Sequence, residues 1–261
     1  MKSQRIEFEN RQGLRLSARL DLPSRGEPRV HALYAHCFTC NKDLTGAYHL
    51  SRALTAAGVA VLRFDFTGLG QSEGAFADTG FSSNVADLED AAAFLEKAHQ
   101  APGLLIGHSL GGAAVLMAAA RIDSVKAVVT IGAPADPAHV LQHLADQRET
   151  LETEGEAHIV VAGRRFTLRR KFLDDLTGTR FADALKRLDR PLLVLHAPLD
   201  DTVGIDNAGK IFAGARHPKS FVSLHRADHL LGDPVDARYA GVLIAAWASR
   251  YIDALTNESV S

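Results

Sequence analysis

Cysteine is almost absent: Cys37 and Cys40 are the only two in 261 residues. A chain of this length buries roughly three quarters of its unfolded surface, so neither disulfides nor a metal is needed to hold it together. So few cysteines point to thiols in a reducing compartment, and the cytoplasm is the expected location. An excess of one charge is lacking too. Lys and Arg number 29 against 31 Asp and Glu, a formal net charge of −2, and no basic run exceeds a few residues. Neither nucleic acid nor a membrane surface is therefore an expected partner. No apolar run approaches the ~18 residues of a membrane span, and MKSQRIEFENRQGLRL has no apolar leader core. Internal repeats and low-complexity tracts are missing as well. What is present, 46% hydrophobic and 23% charged residues, is the balance of a globular protein, expected here as one domain over residues 1–261.

Apolar runs mark the strands. IEFEN and LRLSARLDL flank RQG and read as an antiparallel hairpin. VHALYAH, VAVLRFDF, GLLIGH, VKAVVTIGAP, PLLVLHAP and SFVSLH follow, most of them continuously apolar, as strands buried on both faces of a parallel sheet are. Between them lie the helical patterns YHLSRALTAAG, SSNVADLEDAAAFLEKA, LGGAAVLMAAARI and IDNAGKIFAGA, with ARYAGVLIAAWASRYIDALT last. A hairpin followed by repeated β-α units predicts an α/β fold: a doubly wound, mostly parallel sheet of about eight strands. Residues 135–190 break the rhythm between the sixth and seventh strands. EAHIVVAGRRFTLRR reads there as a small hairpin turning at Ala162-Gly163, with KFLDDL and RFADALKRL as helical pieces. The segment is expected as a small cap-like insertion over the carboxyl edge of the sheet.

Two stretches fit G-x-S-x-G, GQSEG at 70–74 and GHSLG at 107–111. The pattern carries meaning only on a strand-turn-helix, where the strand delivers the serine and the helix offers free N–H groups and the positive end of its dipole. Ser109 has that setting, between GLLIGH and LGGAAVLMAAA. Ser72 lies between the glycine-broken TGLG and the loop AFADTGF, and reads as a turn residue. A serine nucleophile needs a base, and the base an orienting acid. In a doubly wound sheet both come from loops at the carboxyl ends of strands. HAPLDDTVG offers Asp200 or Asp201, GAPAD offers Asp136, and SLHRADHLL offers His225 or His229. His36 and His108 are expected to fix loops by hydrogen bonding, and Asp228 to face solvent.

Across nearly its full length the chain resembles the α/β-hydrolases. RFDFTGLGQSEG resembles that family's structural D-x-x-G-x-G-x-S loop, which implies a scaffold role for Ser72. HCF at 36–38 resembles its H-G-F oxyanion loop, with Cys37 where glycine is usual. HAPLDDTV resembles its acid loop and RADHLL its G-x-x-H loop, with Arg226 in place of glycine; the resemblance puts the acid on Asp200 and the base on His229. More narrowly, AHCFTCNKD, RFDFTGLGQSEG and GIDNAGKIF with RHPKSFVSL are similar to the hydrolase half of bacterial proteins fused to an OsmC-like domain, although no OsmC-like segment occurs in these residues.

The expectation is a serine hydrolase of small carboxylic esters or thioesters. Ser109 is the nucleophile, His229 the base and Asp200 its orienting acid; the backbone N–H groups of Phe38 and Leu110 form the oxyanion hole. No cofactor and no metal are implied. The competing expectations are a thiol-dependent redox protein using Cys37 and Cys40 as C-x-x-C, and a catalytically silent binding protein on the same scaffold. The sequence carries no sign of oligomeric state.

Overall fold

The structure is a computed structural model that describes residues 1–138, 145–161, 163–178 and 180–252. β1 (Lys2–Glu9) and β2 (Arg15–Leu22) form the antiparallel hairpin. It turns through Gly13, whose N–H donates to the carbonyl of Asn10 at 2.8 Å. β3 (Val30–Ala35), β4 (Val59–Phe64), β5 (Pro102–His108), β6 (Ala127–Ile131), β9 (Leu192–His196) and β10 (Lys219–Ser223) complete an eight-stranded sheet in the order β1-β2-β4-β3-β5-β6-β9-β10. Only the β1-β2 and β2-β4 pairings are antiparallel among these neighbours. This is the mostly parallel α/β sheet that the apolar runs predict.

Continuous apolar runs work here because side chains alternate between two buried faces. In β5, Leu105 enters one apolar cluster while Leu104 and Ile106 enter the other. Helices α2 (Phe81–Ala98) and α3 (Leu110–Ala118) cover the first face through Leu88, Leu95, Ala113 and Val115. Helices α1 (Thr45–Ala56) and α8 (Pro234–Ile252) cover the second through Leu50, Leu54, Ala240 and Ile244. The edge strand β10 is only partly buried, and α7 (Asp206–Gly214) joins it to β9.

Between β6 and β9 lie α4 (Ala145–Glu154), the two-stranded ribbon β7 (Glu156–Val161) and β8 (Arg164–Arg169), α5 (Arg170–Gly178) and α6 (Phe181–Arg187). Their buried residues Leu151, Phe166, Phe172 and Leu185 belong to the same apolar cluster as α2 and α3. Ala162 of the expected turn lies outside the described residues, and Gly163 takes a left-handed φ of 74°. Helix α4 was not anticipated. Its sequence ADQRETLETE has good helix formers but no apolar stripe, Leu151 being its one large apolar side chain. The tail DALT of the expected last helix lies outside the described residues beyond Ile252.

Candidate active site

β5 ends at His108 and α3 begins at Leu110, so Ser109 occupies the turn alone, with φ 55° and ψ −126°. That left-handed backbone is uncommon for a residue with a side chain and marks a turn held by its surroundings. The Ser109 N–H is fixed to the carbonyl of Ile131 at 2.8 Å, and its own carbonyl accepts from Gly112 at 2.8 Å. Gly111 lets the helix start press against the loop after β3: a Cβ there would lie 2.5 Å from the carbonyl oxygens of Ala35 and His36. The Leu110 N–H is among the free donors of the first helical turn.

Asp200 and His229 come together. The buried Asp200 carboxylate accepts from His229 Nδ1 through Oδ2 at 2.7 Å, and through Oδ1 from the N–H groups of Val203 at 2.8 Å and Thr202 at 3.0 Å. Burial, the largest influence, pushes the Asp200 pKa up. The His229 hydrogen bond, the two N–H donors and the nearby His229 charge together outweigh it, and the group sits below the usual carboxylate range. Gly132, at the end of β6 with φ 54°, walls the pair. A Cβ there would stand 3.1 Å from Asp200 Oδ2 and 3.4 Å from His229 Nδ1.

The alternatives fall away from this pair. Asp201 is exposed and accepts from the Thr202 hydroxyl at 3.2 Å. Asp136 is exposed and caps its own turn at Ala138 N–H, 2.9 Å. His225 is exposed, and Asp228 is exposed and accepts from Gly232 N–H at 2.8 Å. Ser72 donates to the Asp65 carbonyl at 2.6 Å and accepts from Ser17 N–H at 2.9 Å, tying the loop after β4 to β2.

Two further histidines brace the pair. His108 donates Nε2–H to the carbonyl of His229 at 2.6 Å. Burial, first, and the neighbouring His229 push its pKa down to about 3, so it is a neutral donor. His196, fully buried at the end of β9, donates Nε2–H to the Val203 carbonyl at 2.7 Å and so shapes the turn that carries Asp200. Sequence reasoning missed His196 and Gly132; the one available signal was their position at the carboxyl ends of predicted strands.

The loop after β3 is pinned at both ends. His36 donates Nδ1–H to the Cys37 carbonyl at 2.8 Å and accepts the Phe66 N–H at 3.3 Å. Burial, chiefly, holds the His36 pKa below the ordinary histidine value. The buried Lys42 meets the buried Asp65 twice, through its N–H at 2.6 Å and Nζ at 2.7 Å. Phe38 meets Phe76 and Phe172 with tilted rings, their centres 5.7 and 5.5 Å away. One expectation needs correction: Cys37 and Cys40 are not thiols but are joined by a disulfide. The tight C-x-x-C turn brings their Cα atoms to 5.3 Å, inside the range a disulfide can span.

A doubly wound sheet that carries a serine on a strained strand-to-helix turn, with a buried carboxylate–histidine pair on neighbouring strand ends, has the architecture of an α/β-hydrolase enzyme. Comparison with known proteins agrees. Residues 41–159 match the family model described as serine aminopeptidase, S33. The esterase domain of a Rhodothermus marinus protein is 48% identical, with a TM-score of 0.79 over 97% of this chain and 100% of that one. The chain belongs to the α/β-hydrolase family. Est1E of Butyrivibrio proteoclasticus, solved with ferulic acid bound, shares the fold at 21% identity and TM-score 0.80, covering 95% of this chain and 99% of that one. The uncharacterized protein YfhR of Salmonella typhimurium is 24% identical over 200 residues, which are 77% of this chain but only 64% of that protein. Among the described residues no helix is long and apolar enough to cross a membrane.

Proposed function

We propose that the protein is a serine esterase that cleaves small carboxylic esters or thioesters through an acyl-enzyme. The observation that carries this reading is the 2.7 Å contact between His229 Nδ1 and Asp200 Oδ2, with Ser109 on a strained turn directly after His108, which bonds to the His229 carbonyl. With Nδ1–H engaged by Asp200, His229 has Nε2 free to accept the Ser109 hydroxyl proton as Oγ attacks the carbonyl carbon. Asp200 then stabilises the imidazolium that forms. Negative charge developing on the carbonyl oxygen is met by the N–H groups of Leu110 and Phe38. The imidazolium returns its proton to the leaving alcohol or thiol. The neutral imidazole then takes a proton from water as the water attacks the acyl-enzyme, and returns it to Ser109 Oγ as the acyl C–O bond breaks and the acid leaves.

The esterase activity named for the Rhodothermus marinus relative supports the substrate class. The segmental likeness to hydrolase halves of OsmC fusions belongs to the same reading and adds no substrate. The matched family model bears the description of an aminopeptidase, so the test includes an amide. A fluorophosphonate should label Ser109, located by peptide mass. Among p-nitrophenyl esters, acyl thioesters and aminoacyl anilides, esters and thioesters should turn over fastest. Absence of the Ser109 adduct, or turnover confined to the anilides, overturns the proposal.

A further inference from the structure

The loop that carries Phe38 is fastened by chemically different devices. Its start is held by the His36 bonds to Cys37 and Phe66. Its end is held by the Lys42–Asp65 pair and by Arg63 Nη1, which donates to the Lys42 carbonyl. Both anchors reach the segment at the end of β4, and neither involves sulfur. Between them the Cys37–Cys40 disulfide closes a ring around Phe38 and Thr39. Within that ring Thr39 sits at φ 59°, a left-handed conformation that a β-branched residue rarely adopts and keeps only where its surroundings impose it. The covalent ring, the Cys40 N–H bond to the Cys37 carbonyl at 3.2 Å and the Thr39 hydroxyl bond to the Phe38 carbonyl at 2.7 Å together impose it.

We propose that the Cys37–Cys40 disulfide is a site of thiol–disulfide exchange with a dithiol reductant, and that reducing it lowers turnover by freeing the Phe38 N–H from its place in the oxyanion hole. The inference rests on the esterase reading above, in which Phe38 is a donor to the transition state. Cys37 is buried and Cys40 half-buried, so the incoming thiolate attacks Cys40 Sγ. The S–S bond breaks, and Cys37 Sγ leaves as a thiolate and takes up a proton. The second thiol of the reductant then attacks the reductant sulfur of the mixed disulfide, and Cys40 leaves and is protonated. Two electrons and two protons pass to the protein, and the reductant becomes a disulfide. Thr39 can then relax out of the left-handed region and turn the Phe38 peptide, while the anchors at His36 and Lys42 keep the remainder of the loop in place. Outright loss of an oxyanion donor costs about 10²–10³ in kcat. A donor displaced but still tethered should cost less, on the order of tenfold.

The test compares ester hydrolysis by oxidised protein, dithiothreitol-reduced protein, reoxidised protein and the double variant Cys37→Ser/Cys40→Ser, with thiols counted by alkylation and mass. Reduction should expose two thiols, lower kcat about tenfold and leave KM within about threefold, as expected for an interaction made mainly in the transition state. Reoxidation by oxidised glutathione should restore kcat. The double variant should match the reduced enzyme and ignore dithiothreitol. Two titrated thiols with unchanged kcat overturn the proposal. So does a disulfide that resists about 10 mM dithiothreitol in the folded protein, or activity that falls only as the far-ultraviolet circular dichroism signal collapses. A separate control isolates the underlying reading: if Ser109→Ala hydrolyses esters as fast as oxidised wild type, the esterase mechanism fails whatever the redox ratio.

Discussion

At the residue scale, the site depends on a carboxylate that is buried and still ionised. Asp200 achieves this with three donors, one of them the imidazole it orients. On the proposed mechanism, replacing Ser109, His229 or Asp200 singly should each lower kcat by on the order of 10³ or more, and pairs should add little, as for residues that work as one unit. Ser72→Ala should leave most turnover in folded protein, since the Ser72 hydroxyl bonds to the Asp65 carbonyl and the Ser17 N–H, both in the scaffold. Turnover that survives Ser109→Ala but not Ser72→Ala would reverse the assignment. That an acid and a base follow late strands was legible from chain order, but the strand ends left Asp200 or Asp201 and His225 or His229 open, and the resemblance made the choice. The brace His196 was not, because a lone histidine at a strand end has no periodicity or partner spacing to single it out. The disulfide was hidden for a different reason: C-x-x-C spacing is equally compatible with thiols, and only the turn geometry decides.

At the scale of elements, the loop from His36 to Lys42 rests on the loop after β4. The buried Lys42–Asp65 pair is its firmest link. Lys42→Met would leave the Asp65 charge buried without its cation, which costs about 3–5 kcal/mol; in a chain of this size that is a fall of roughly 10 °C in Tm. Calorimetry can set it beside Arg15→Ala, which breaks the exposed pair with Glu73 and should barely move Tm. A Tm unchanged by Lys42→Met would mean that the loop after β4 does not carry this link. Gly111→Ala is the steric counterpart. Its Cβ would strike the Ala35 and His36 carbonyls at 2.5 Å, and the folded variant should lose kcat as the Leu110 end of α3 and the Phe38 loop are pushed apart, measured as turnover per mole of folded protein. The strands and most helices were readable because two-sided burial writes continuous apolar runs. α4 was not, since ADQRETLETE has Leu151 as its one large apolar residue and so carries no stripe.

At the scale of the whole molecule, buried neutral histidines govern acid stability. His108 and His36 are both held below their ordinary pKa, by burial first. An unfolded chain therefore binds protons that the folded one refuses once the pH drops below ~6.5. Stability is full above that point and should be lost on acidification, by up to about 1.4 kcal/mol per pH unit for each histidine. Asp200, shifted downward, contributes above the ordinary carboxylate range and drops out only at lower pH. Tm should thus decline between pH 7 and pH 5, and a flat profile there would contradict the burial of these rings. Sheet order has one more consequence, for the timing of synthesis. The serine turn follows β5, whereas Asp200 and His229 follow β9 and β10, the last two strands of the sheet order. On the proposed mechanism, a ribosome makes the turn of Ser109 long before Asp200 and His229 exist, so the nascent chain carries a serine with no base to activate it. Hydrolysis can begin only after β10 and the loop behind it have left the exit tunnel and docked on β9, which delays the activity until nearly the whole sheet is in place.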